Sequence, residues 1–174
     1  VLVECNDARR TQIAEHGLSI TGRESYRTNG AELLGSIEEL EGRSLFALFI
    51  CTKTWSLSSI LPALSKVLDP DCLVVSFQNG IGPEDEIARF FPTNRVARGI
   101  VNYAGGIDEQ GDVTMNWFNP PNHLGPMDEE CKVFDPREWS GRRFKLGEGI
   151  VGKVAADCRA MRVPDVTQRS EERR

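Results

Sequence analysis

The stretch Leu73–Glu84, LVVSFQNGIGPE, constrains the fold more than any other part of the 174-residue chain. Leu73 to Phe77 has the β-branched and aromatic composition of a buried strand. The run stops at Gln78-Asn79-Gly80, a turn signal. Gly82-Pro83-Glu84 then opens a helical pattern, with proline near the first turn and acids behind it. A strand that ends in polar amides and glycines and runs into a helix is how open α/β sheets present ligand-binding groups, beyond the carboxyl ends of the strands. The plain alternative is a tight strand–helix turn with a locally satisfied asparagine.

A second stretch repeats the pattern about twenty-five residues upstream. Leu45 to Cys51, LFALFIC, is another continuous apolar run, and it ends in Thr52-Lys53-Thr54-Trp55. Ser56 begins a helical pattern, and Ile60, Leu61, Leu64, Val67 and Leu68 follow helical spacing through a helix over Leu57–Leu68. If the two strands are parallel neighbours, their polar loops share one edge. Lys53 brings a positive charge there, and Asn79 a donor and an acceptor. Together they suit an anionic cofactor or a substrate carbonyl. Against this stand a snorkelling surface lysine and a turn amide.

The rest of the chain alternates in the same way. Val1 to Val3 reads as a strand, and Ala8 to His16 as a helix with Asp7 as N-cap and Gly17 as stop. Leu18 to Thr21 and Ser25 to Thr28 pair as a hairpin around Gly22-Arg23. Ala31 to Ser36 is a weak strand, and Ile37 to Leu40 a loop or short helix. A helix from Glu84 to Phe91 follows the central stretch. Strand–helix alternation predicts an α/β fold with a parallel, doubly wound sheet. Trp55, Trp117 and Trp139 read as packing residues.

Composition narrows the function classes. Net charge is −5, which gives no nucleic-acid signature. No apolar run approaches the ~18 residues of a membrane span, and no secretory signal opens the chain. The five cysteines (5, 51, 72, 131, 158) lack disulfide or zinc spacing and read as buried free thiols of a reducing, cytoplasmic compartment. His16 and His123 are too few and too far apart in sequence to suggest a metal site.

The CTKTW and FQNGIG strand ends resemble those of ketopantoate reductase (2-dehydropantoate 2-reductase). IAEHGLSI (13–20) is similar to the family's helix-to-hairpin segment. RVARGIVNYAGGIDEQGDV (95–113) resembles its strand and hairpin after the NG loop, and FNPPNHLGP (118–126) the strand that closes its nucleotide domain. The resemblance covers roughly residues 1–130. It implies an incomplete Rossmann-like domain whose Val1 matches the family's second strand, so that the first strand, GxGxxG turn and first helix do not occur in these 174 residues. It also implies NADP(H) as cofactor and 2-dehydropantoate as substrate. Lys53 and Asn79 match the family residues that line the nicotinamide. Asn6 stands where the family's basic residue meets the 2′-phosphate, with Arg9 and Arg10 as substitutes just inside the next helix, or else as a solvated helix face. Glu4 sits one or two residues early for an acid that would bind a ribose 2′-hydroxyl.

A different resemblance begins beyond residue 130. FKLGEGIVGKVAADCRAMRVPDV (144–166) is similar to part of a GAF domain, a small-ligand sensory module, and GEGIVG there lacks the strand–turn–helix setting of a dinucleotide turn. The organisation expected is a truncated NADP-binding domain over 1–130, a GAF-like α+β fragment over 131–167, and a charged, disordered tail over 168–174. No lysine here matches the family's proton donor, which belongs to a helical C-terminal domain. NADP(H) is therefore expected to bind weakly, and this chain by itself is expected to be inactive. The alternatives are a GAF-type sensory fragment and a non-functional gene fusion.

Overall fold

The computed structural model describes residues 1–109, 111–128, 130 and 131. The GAF-like segment, the charged tail, Trp139 and Cys158 lie outside them. The order is β1 (Leu2–Val3), α1 (Asp7–His16), β2 (Leu18–Gly22), β3 (Tyr26–Thr28), β4 (Leu33–Leu34), β5 (Ala47–Ile50), α2 (Leu57–Val67), β6 (Leu73–Ser76), α3 (Pro83–Ile87), β7 (Val96–Ile100), β8 (Tyr103–Ile107), β9 (Val113–Phe118) and β10 (His123–Pro126). Single turns of 3-10 helix cover Glu38–Leu40, Thr54–Ser56 and Thr93–Arg95.

The alternating segments form a mixed α/β fold with parallel strands, as the sequence predicts. β5, β6 and β7 are parallel neighbours, with Ile50 opposite Ser76 and Ser76 opposite Arg98. β10 closes their sheet antiparallel to β7. The described strands fall into three sheets. β1 and β4 form a separate parallel pair. The hairpin β2–β3 joins β9 and β8 in a third sheet of order β3-β2-β9-β8. Strand pairing at such sequence separations is a tertiary property that local pattern does not encode.

One core sits under the helical face of the β5–β7 sheet. Leu57, Leu61 and Leu64 of α2 are buried there with Ile50, Val74, Val96, Ile87, Leu34 and Leu40. Their 4- and 3-residue spacing in α2 is that of one helical face, and each buried leucine stabilises the fold by ~1.5–3 kcal/mol. Leu34 of β4, with Val3 of β1 packed beside it, shares this core, so the separate strand pair is anchored by side chains. The opposite face of the sheet carries Leu73, Val75 and Ala97, with Phe77 and Leu124 packed against them.

Several local expectations need correction. The N-cap of α1 is Asn6, whose side chain accepts from the Arg9 N–H at 3.0 Å, and not Asp7. Asp7 is instead the first helical residue, where its charge favours the helix dipole. α3 ends at Ile87 rather than Phe91; Arg89 and Phe90 already bond three residues back, and Pro92 disfavours helix in the residue before it. Trp55 is 82% exposed and Trp117 48%, so neither is a core residue. Cys72 and Cys131 are buried as expected, but Cys5 and Cys51 are exposed. Cys5 lies beyond the end of β1, and Cys51 follows β5, where the backbone leaves the sheet.

Candidate functional site

The loops after β5 and β6 are stitched together by three hydrogen bonds. The Phe77 N–H donates to the Ile50 carbonyl at 3.0 Å and extends the ladder one step beyond the strands. The Gln78 side-chain amide donates to the Thr52 carbonyl at 3.0 Å. Thr54 Oγ1 donates to the Asn79 carbonyl at 3.2 Å. Gln78 is buried, and its amide oxygen accepts from Ser76 Oγ at 3.3 Å. A buried amide is tolerated because both its ends find partners.

This stitching brings the Lys53 and Asn79 backbones to one edge of the sheet, beyond the carboxyl ends of two parallel strands. Lys53 has extended backbone and precedes the 3-10 turn of Thr54–Ser56. Its carbonyl accepts from Ser56 Oγ at 2.7 Å, which fixes the turn. Both residues are exposed, and neither side chain has a hydrogen-bonding or ionic partner among the described residues. The edge therefore offers one ammonium, one amide donor pair and one amide oxygen to a ligand. The neighbouring Cys51 thiol is pushed upward in pKa by burial around its sulfur. A raised thiol pKa lowers the thiolate fraction and with it the nucleophilicity of Cys51.

The Asn79 loop has its own scaffold. Gly80 and Gly82 sit at φ 110° and 97°, in the left-handed region that favours glycine. Arg98 of β7 reaches under the loop. One guanidinium nitrogen lies 2.8 and 2.7 Å from the two Glu84 carboxylate oxygens, and the other donates to the Gly80 carbonyl.

The residues at the end of β1 form a second group. The Asn6 N–H donates to the Glu4 carboxylate at 2.9 Å. Arg10 donates to the Glu4 carbonyl at 2.8 Å and pairs with Asp7. Arg9 donates to Gln12 and to the Gly111 carbonyl in the β8–β9 turn. Both arginines are half-buried and engaged in ties to the backbone, so neither is the freely solvated charge that a bare helix face would carry. No hydrogen bond links Asn6, Arg9 or Arg10 to Lys53 or Asn79 among the described residues.

Sequence reasoning missed four supporting residues. Gln78 carries a signal, since a polar residue that continues an apolar run needs a buried partner. Arg98 carries another: a charge inside VARGI must be met by an acid, and Glu84 opens the preceding helix. Thr54 gives no signal apart from its loop. Among the described residues, no group of three or more His, Cys, Asp or Glu is placed to hold a metal ion.

Known proteins match the same region. The family model for ketopantoate reductase PanE/ApbA matches residues 1–129. A 2-dehydropantoate 2-reductase of Lactococcus lactis subsp. lactis (strain IL1403) is 31% identical over 105 residues, 59% of this chain and 33% of that protein. One of Yersinia pestis is 30% identical over 81 residues, 45% of this chain and 25% of that protein. The chain thus spans a quarter to a third of the length of these curated relatives. In fold it is similar to D-mandelate dehydrogenase with NADH and anilino(oxo)acetate, at a TM-score of 0.62 and 22% identity over 76% of this chain and 42% of that one. It is also similar to 2-dehydropantoate 2-reductase from Geobacter metallireducens GS-15, at 0.58 and 21% over 73% and 40%. Among the described residues no helix is long and apolar enough to cross a membrane.

Proposed function

The chain belongs to the ketopantoate reductase PanE/ApbA family, and we propose that residues 1–129 serve as the nicotinamide-nucleotide side of an NADPH-dependent, cytoplasmic reductase of 2-dehydropantoate. The observation that carries this reading is the stitched loop edge. Two loops 25 residues apart are held by Thr54 on the Asn79 carbonyl and by Gln78 on the Thr52 carbonyl. The side chains of Lys53 and Asn79 remain without partners among the described residues.

On this reading Lys53 and Asn79 serve the nicotinamide end of the nucleotide, and Asn6, Arg9 and Arg10 its ribose end. Lys53 provides positive charge for a phosphate or for the carboxylate of a keto acid. Asn79 provides amide donors for a carbonyl oxygen on which negative charge develops, and preorganised donors of this kind are a large term in catalysis. Asn6 has its side-chain oxygen committed to the α1 cap, which leaves its amide hydrogens for the ribose end. Arg9 and Arg10 add positive potential there, although both already hold backbone carbonyls. The cofactor when bound supplies the hydride; the protein's part is to hold and orient.

The test is nucleotide binding by the 174-residue chain. NADPH fluorescence is titrated with the wild-type chain and with Lys53→Ala and Asn79→Ala. Saturable binding that both substitutions weaken supports the reading. No binding at millimolar nucleotide, or binding that neither substitution changes, overturns it. Titration with 2-dehydropantoate in the presence of NADPH then tests the substrate: Lys53→Ala is expected to weaken the response.

A further inference from the structure

Arg98 stands where the fold calls for an apolar side chain. It lies on β7, opposite Ser76 of β6 and Gly125 of β10, inside a four-stranded sheet. Val96, two residues before it, is in the core under α2 and α3, and side chains two apart share a face. Arg98 thus continues the helix-side face at the end nearest the Asn79 loop. Its side chain is 27% exposed and that of Glu84 is 21% exposed, so a charged pair has been drawn largely out of water. Burying such a pair gives little net stability compared with a well-packed apolar pair, which makes a positional role the better account of it.

The geometry of the pair is a brace with three points. One Arg98 nitrogen straddles the Glu84 carboxylate and thereby holds the first turn of α3. The other grips the Gly80 carbonyl. From the opposite side Thr54 Oγ1 holds the carbonyl of Asn79. Consecutive carbonyls of the loop are therefore held by Thr54 from the turn after β5 and by Arg98 from within β7. Without these ties, the two left-handed glycines at 80 and 82 would leave the segment with the largest backbone freedom of any residue type. A Cβ on Gly80 would meet nothing within 4 Å, so neighbouring side chains do not hold the loop there by packing.

We propose that Arg98 and Glu84 are positioning residues that hold the Asn79–Gly82 loop so that the Asn79 amide stays fixed at the ligand edge. This rests on the reading of Asn79 as a nucleotide contact. The brace itself does not, so the two can fail separately. Neither residue touches the ligand in this scheme; both act through the backbone of the loop.

The experiment combines hydrogen exchange with nucleotide titration on the full 174-residue chain. Wild type is compared with Arg98→Met, Arg98→Lys and Glu84→Gln, each also made in an Asn79→Ala background. Lysine keeps the charge but lacks the fork that reaches two acceptors, and Glu84→Gln keeps the shape if Arg98→Met fails to fold. The expected result is faster amide exchange confined to peptides spanning 77–84, with the β5 and β6 strands unchanged. NADPH affinity is expected to fall by roughly tenfold in the Asn79 background and to stay level in the Asn79→Ala background, because misplacement of a contact residue acts only through that contact. Unchanged exchange at 77–84 overturns the brace. Faster exchange with unchanged NADPH affinity, or an equal loss in both backgrounds, overturns the positioning role. A wild-type chain that binds no NADPH overturns the nucleotide reading and with it the positioning role, while exchange still decides the brace.

Discussion

Thr54 Oγ1 and the Asn79 carbonyl meet at 3.2 Å across loops that leave two neighbouring parallel strands. The bond joins the residue after one candidate ligand contact to the backbone of the other. It converts a sheet edge into a single surface, because what moves one loop must now move both. Gln78 reinforces it from below, at 3.0 Å from the Thr52 carbonyl.

Removing Gln78 is expected to cost more than removing Thr54. Gln78→Ala strips a buried amide and leaves the Thr52 carbonyl and Ser76 Oγ short of partners, at about 1–3 kcal/mol. Thr54→Val removes one exposed hydrogen bond and is expected to cost about 0.5–1.5 kcal/mol. Urea denaturation of both variants checks the order. Equal losses would mean that the buried amide is not the stronger staple.

Gly99 is fixed by its neighbour rather than by its backbone. A Cβ there would lie 2.1 Å from Phe77 Cε1 and 2.3 Å from Cδ1. Phe77 cannot yield freely, since its ring stacks on Phe49 with centroids 5.3 Å apart. Gly99→Ala is expected to destabilise by roughly 1–3 kcal/mol through overpacking. Adding Phe77→Leu should recover much of that loss, because the obstructing ring is gone. A double variant no more stable than Gly99→Ala would show that the clash lies elsewhere.

How far these features were readable depends on whether they are local. β5, β6 and α2 follow from apolar runs and helical spacing, and the order of the strands after the NG loop follows from short motifs. The Lys53–Asn79 edge was legible because two strand ends repeat one pattern. Its staples were not. Gln78 and Thr54 meet carbonyls 26 and 25 residues away, and nothing in a window of sequence names such a partner. The Asn6 cap was lost for a different reason: Asn6 and Asp7 are both good caps, and a one-residue choice is decided by backbone angles. Trp55 and Trp117 read as packing because large aromatics usually bury, yet the exposure of each depends on what the fold sets beside it.

Thiol labelling separates the cysteines by burial. Cys72 is buried and its thiol pKa is pushed up by burial and by the nearby Asp69 charge. Cys5 and Cys51 are exposed, although burial around the Cys51 sulfur raises its pKa too. Brief treatment with iodoacetamide at neutral pH, followed by peptide mass mapping, should mark Cys5 first, Cys51 more slowly, and Cys72 only under unfolding conditions. Rapid labelling of Cys72 in folded protein would contradict its burial just before β6.

The carboxyl of Asp128 is held below the ordinary aspartate range by the Glu130 N–H and by the Thr93 hydroxyl, at 2.9 and 2.8 Å. A lowered folded-state pKa means that its contribution is present above the unfolded value and fades as pH falls through the folded one. Asp128→Asn should therefore flatten the loss of thermal stability below about pH 4. The group is fully exposed, so the change is small. An acid limb identical to wild type would remove Asp128 from the account.

The ribose end gives a prediction in which binding and stability move in opposite directions. On the proposed cofactor reading Asn6 takes the place of the family's basic residue, while in the structure it caps α1 by accepting from the Arg9 N–H. Asn6→Arg is expected to lower stability by about 1 kcal/mol through the lost cap. The same change adds a guanidinium, which pairs with a 2′-phosphate by charge-assisted hydrogen bonds. It should raise affinity for NADPH relative to NADH by about tenfold, a difference of roughly 1.4 kcal/mol. Asn6→Ala separates the two effects, since it loses the cap and gains no charge. Thermal denaturation should place both variants below wild type, while nucleotide titration should move only Asn6→Arg toward NADPH. If Asn6→Ala shifts the NADPH-to-NADH ratio as much as Asn6→Arg does, the discrimination comes from reshaping the start of α1, and residue 6 does not face the 2′ position.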